Sequence, residues 1–133
     1  MKKVVLLVLI AVCCLPACKK STPISPGLFG KWELRSKYGG LAGLDSTYKA
    51  GNGNIYQFNS DSTYSHYVNK KLTTTGAFHI KAGDFHGVNA EFEIYFDNTT
   101  YGEPFALGDT RMTIGAGAPL YDGIAADYEK IKN

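Results

Sequence analysis

From Phe29 onward, apolar and polar side chains alternate in short runs broken by glycine, asparagine, aspartate and serine, and no stretch holds the 3.6-residue period of a helix. The clearest run is Ala90 to Phe96. Ala90, Phe92, Ile94 and Phe96 fall on one side and Glu91, Glu93 and Tyr95 on the other, the pattern of a strand buried on one face and wet on the other. Gly30 to Lys37 repeats it, with Trp32 and Leu34 set against Lys31, Glu33, Arg35 and Lys37. Asn54 to Asn59 and Thr63 to Asn69 read as a hairpin about Ser60-Asp61-Ser62, whose short polar side chains suit a tight turn. Leu72 to Ile80 follows after Asn69-Lys70-Lys71. Glu103 to Leu107 and Thr110 to Gly115 flank a turn at Gly108-Asp109, and Gly123 to Ile131 is the last strand. The glycine-rich stretch Gly39 to Gly53 reads as a connection.

Eight consecutive strands joined mostly by short turns leave two exposed edges unless the sheet closes on itself. At eight strands an antiparallel up-and-down barrel has an interior that side chains fill or that holds one small ligand, so an all-β barrel is the expected fold. A two-sheet sandwich is the alternative.

The residues before Phe29 carry a different signal. Met1-Lys2-Lys3 is positive, and Val4 to Ala17 contains no charge. Those fourteen residues fall short of the roughly 20 that a spanning helix needs but fit the apolar core of an export signal. Leu15-Pro16-Ala17-Cys18 resembles the lipobox of bacterial lipoproteins. That resemblance implies diacylation of the Cys18 thiol, cleavage before Cys18, and a mature protein held stably on a membrane by two or three acyl chains. An ordinary secretory signal, leaving Cys18 a thiol, is the other reading. The expected organisation is a signal at 1–17, a lipidated tether at 18–28 rich in Ser, Thr and Pro, and a domain at 29–133. Lys19 in place of aspartate points, by analogy with known sorting rules, to the outer membrane.

Cysteine and charge then narrow the chemistry. Cys13 and Cys14 would leave with the signal and Cys18 would be consumed by lipid, so no disulfide, thiol nucleophile or thiolate ligand is expected in the domain. Without Lys2 and Lys3 the fourteen basic residues fall to twelve, equal to the twelve acidic ones, which argues against nucleic acid and against a broad anionic-lipid patch. His66, His79 and His86 invite a zinc reading, but pairing about Asn69 to Lys71 sets His66 beside Thr74 rather than His79, and no metal site is expected. Glu91 and Glu93 read as a solvated strand face. Without a nucleophile elbow, a Ser/His/Asp arrangement or a phosphate-cradling lysine, neither catalytic residues nor a cofactor are expected.

Three motifs carry a family resemblance. Gly30-Lys31-Trp32-Glu33-Leu34, then Tyr56-Gln57-Phe58-Asn59-Ser60-Asp61-Ser62-Thr63-Tyr64, then Asp122-Gly123 with Tyr128 are similar, in order and placement, to the small lipocalin-like domains of bacterial lipoproteins. True lipocalins are longer, end in a helix and carry a Thr-Asp-Tyr triplet where this chain has Ala126-Asp127-Tyr128. The resemblance implies a barrel end-capped by Trp32, with neighbours from the last strand. It also implies a late arginine over the indole, for which Arg111 is the candidate. A membrane-anchored envelope protein that binds a small hydrophobic ligand without catalysis is the expected function. Candidate lining residues are Trp32, Tyr56, Phe58, Tyr64, His66, Phe78, Phe92 and Tyr128, aromatic surfaces with a few polar handles. The alternative is a barrel filled by those same side chains, acting as an interaction or inhibitor module on another envelope protein through its outer faces and loops.

Overall fold

The computed structural model describes residues 26–83, 90–115 and 123–132. The expected export signal, Cys18, His86 and Asp122 lie outside the described residues. The chain forms β1 (Gly30–Gly39), β2 (Leu44–Thr47), β3 (Ile55–Phe58), β4 (Thr63–Val68), β5 (Lys71–Ala82), β6 (Phe92–Phe96), β7 (Glu103–Leu107), β8 (Arg111–Ile114) and β9 (Ile124–Lys130), preceded by a 3-10 turn at Pro26–Leu28. From β3 to β9 each strand pairs antiparallel with the next, and β9 returns to β1, from Trp32 opposite Lys130 to Gly39 opposite Ile124. The result is a closed barrel of eight antiparallel strands, with the ninth, β2, added as a short hairpin on β1.

The local sequence explains the register. Asn69 and Lys70 both adopt left-handed backbone (φ 51° and 68°), the twist that a two-residue hairpin turn requires. In the 59–62 turn, the Asp61 carboxylate accepts from the Thr63 amide at 3.1 Å and the Thr63 hydroxyl at 2.6 Å. Alternate residues of each strand then converge on one core: Leu28, Trp32, Leu34, Phe58, Tyr64, Phe78, Ile94, Phe105, Met112, Ile114, Ala126 and Tyr128. Leu28, which the sequence places at the end of the tether, is wholly buried.

Two features depart from the alternation. The connection from Gly39 to Gly53 is not all loop. β3 covers β1 only from Gly30 to Glu33, and β2 takes the same edge from Ser36 to Gly39. The second departure is a bulge in β1 between Leu34 and Ser36, relative to β9. One extra residue exchanges the two faces of everything beyond it. Lys37, which strict alternation puts on the outer charged face, therefore pairs with inward Ala126.

Antiparallel order sorts the connections to two ends. At one end lie the start of β1, the turns 59–62 and 108–110 and the end of β9; Pro26–Leu28 closes it. At the other lie the β1–β2 turn, the 69–70 and 97–102 turns and the start of β9. Above Ala77, β5 has no partner strand on its β6 side among the described residues, because β6 pairs only with Phe78 to Ala82, so the β4–β5 hairpin projects beyond the barrel wall.

Candidate ligand-binding site

The predicted lining residues divide between the two ends. Trp32, Phe58, Phe78 and Phe92 belong to the closed half. Trp32 is 0% exposed, and its indole N–H donates to the Leu28 carbonyl at 2.7 Å, so the polar atom of the largest core side chain is satisfied. The cation over this ring is Lys130, not Arg111. The Lys130 ammonium lies 5.2 Å from the ring centroid and donates to the Gly27 carbonyl at 2.6 Å. Arg111 pairs with Glu129 on the outer face and is exposed, so the expected Arg111 contact is corrected to one from the last strand. Phe58 and Phe78 meet edge to face at 4.9 Å, and Phe92 packs against the same core.

Tyr56, His66 and Tyr128 stand toward the open end, where register sets Tyr56 opposite His66 and His66 opposite Thr74, while Tyr64 stands opposite Phe58. Tyr56 is the hub. It stacks on His66 at 4.2 Å, on Phe96 at 5.4 Å and on Phe58 at 5.7 Å, and it meets Tyr128 edge-on at 5.5 Å. Tyr64 donates to the Asp97 carboxylate at 3.1 Å, while the other Asp97 oxygen accepts from the Ala77 amide at 3.0 Å. The centre of the barrel is therefore occupied by aromatic side chains.

Three further residues bear on this end. Lys37 is brought inward by the bulge, and no pattern of alternation could reveal it. Glu103 pairs with inward Ile94 and shares its face with Phe105, so its side of the strand was readable from β7 once the register is known. Tyr48 follows β2 and packs against the core.

The electrostatics follow from burial. Burial lowers the pKa of His66, and the nearby Lys37 charge lowers it further, so the imidazole is neutral at pH 7. Burial raises the phenols of Tyr56, with Glu103 adding to it, and of Tyr128, with Tyr56 and Tyr48 adding to it. The Tyr64 hydroxyl is pushed up to about 12 by burial and by its bond to Asp97. The open half thus offers a neutral imidazole, protonated phenols, one ammonium and one carboxylate over an aromatic floor. Such a set can hydrogen-bond and orient a polar group whose apolar part rests on the rings.

Among the described residues no three His, Cys, Asp or Glu side chains are grouped to hold a metal ion, and His79 instead stacks on Tyr95 at 4.6 Å. Glu93 accepts a hydrogen bond from the Tyr95 hydroxyl at 2.6 Å on the outer face. Comparison of the chain with protein-family models, with curated proteins and with solved structures gives no match.

Proposed function

We propose that this is a lipid-anchored protein of the bacterial cell envelope, tied through Cys18 and placed at the outer membrane, that binds a small hydrophobic molecule bearing a polar group and does no chemistry on it. The anchor rests on the charged start, the uncharged run and the Leu15-Pro16-Ala17-Cys18 sequence. The binding role rests on one observation, the difference between the barrel's ends. Trp32 and Leu28 seal one, while half-buried His66 and Tyr56, the inward-facing Lys37 and the exposed Glu103 stand at the other. The aromatic floor limits the ligand to the upper part of the barrel.

The test is a titration with anilinonaphthalene sulfonate, a probe with an aromatic body and an anionic group. Its fluorescence should rise on binding to the wild type. The rise should be lost in His66→Trp, which fills the open end, and kept in Lys130→Met at the closed end. An unchanged rise in His66→Trp would contradict the assignment. The packing around Tyr56 favours a second reading, a filled barrel that acts on another envelope protein through its outer surface. Absence of any probe site on a folded protein would favour it.

A further inference from the structure

The large hydrophobic side chains that the described structure leaves exposed are Tyr38, Leu41, Leu44, Val68, Leu72, Tyr101 and Ile124. All of them lie at the open end: at the end of β1, in the β1–β2 hairpin, on both arms of the β4–β5 hairpin, in the turn after β6 and at the start of β9. Leu41 and Tyr101, on two separate turns, are 88% and 87% exposed. Scattered single exposures are ordinary on a protein surface, but their confinement, among the described residues, to one end is not.

We propose that this rim docks on a lipid surface, with the barrel mouth facing it. Three observations select that occupant. The apolar residues are spread over separate tips around a mouth rather than joined in one groove, and a fluid surface receives separate tips without a matching shape. Lys70 and Lys71 stand in the same hairpin as Val68 and Leu72. Neither lysine makes an ion pair with a described residue, so a tip that enters the acyl region carries cations at headgroup level. Tyr101 adds an amphipathic ring of the kind that settles at a membrane interface. The charge is local, which is compatible with the balanced charge of residues 18–133. The chain enters the barrel at the closed end, so this contact is separate from any lipid on Cys18. It also holds whether or not the mouth binds a ligand.

The experiment uses the full chain carrying a second tryptophan, at Leu41 or Tyr101 on the rim or at Ser60 in the opposite turn. Each variant is mixed with vesicles of phosphatidylcholine and phosphatidylglycerol whose acyl chains are brominated. Leu41→Trp and Tyr101→Trp emission should shift to the blue and be quenched, Ser60→Trp should be unaffected, and Lys70→Glu with Lys71→Glu should weaken the effect. Stronger quenching of Ser60→Trp than of the rim variants would show that only the anchor meets lipid and would overturn the proposal. So would no change in either rim variant, or a blue shift that tracks protein concentration without vesicles, the sign of a second copy covering the rim.

Discussion

Glu33 shows how much of this fold hangs on one carboxylate. It lies on the outer side of β1 yet is only 5% exposed, because the chain from 48 to 54 folds over it. Its oxygens accept from the Gly53 and Gly51 amides, each at 2.9 Å, and from the Arg35 guanidinium at 2.8 Å. Burial alone would raise its pKa. The two amides and Arg35 outweigh that and hold it below the usual carboxylate value. A group whose folded pKa is depressed stabilises the fold above its unfolded pKa and loses that contribution as pH falls through the folded value. Glu33→Gln should therefore cost about 2 kcal/mol at pH 7, the scale of charge-assisted hydrogen bonds. The cost should shrink toward zero once Glu33 of the wild type is protonated in acid. Urea unfolding of both proteins at pH 7 and in acid checks this, and an equal cost at both would contradict it.

At the scale of elements, the eight barrel strands were legible because a buried inner face imposes a period of two, and Trp32, Phe58, Phe78 and Tyr128 all obey it. What escaped was what a single residue or a glycine decides. The bulge at Leu34 and Ser36 has no signature in side-chain type, so Lys37 was assigned to the wrong face. β2, Leu44-Asp45-Ser46-Thr47, is short and mostly exposed and lacks an alternating pattern. It exists because β3 stops at Ile55 and leaves the upper edge of β1 to be paired. The loop between them is held by contact as well as by Glu33. Gly53 has φ 74° and its amide carbonyl accepts from the Lys70 amide at 2.9 Å, and a Cβ there would collide with the Lys70 backbone. Gly51 has a similar φ of 83° but open space around it. Gly53→Ala should lose about 2 to 3 kcal/mol, and Gly51→Ala about 1 kcal/mol from backbone strain alone. Thermal unfolding separates them, and equal midpoints would show that the loop does not rest on the 69–70 turn.

For the whole molecule, the barrel is built unequally from end to end. Below, Leu28, Trp32 and Lys130 form a plug whose polar atoms are bonded within the fold. Above, the aromatic floor around Tyr56 carries Lys37, His66 and Glu103, and the strands end in apolar tips. Aromatic density suggested a lining; of those residues Trp32 belongs to the plug, Phe58 and Phe78 pack edge to face at 4.9 Å, and Tyr56 with His66 at 4.2 Å and Phe96 at 5.4 Å makes the floor. A nitrogen-proton correlation spectrum recorded while dodecanoate is added, below its micelle concentration, tests the central claim that binding belongs to the open end. The amides of Lys37, His66, Glu103 and Tyr128 should shift together along one saturating curve, while the Trp32 indole signal stays in place. A Trp32 indole signal that moves while those four amides stay still would place the site at the closed end and contradict the account.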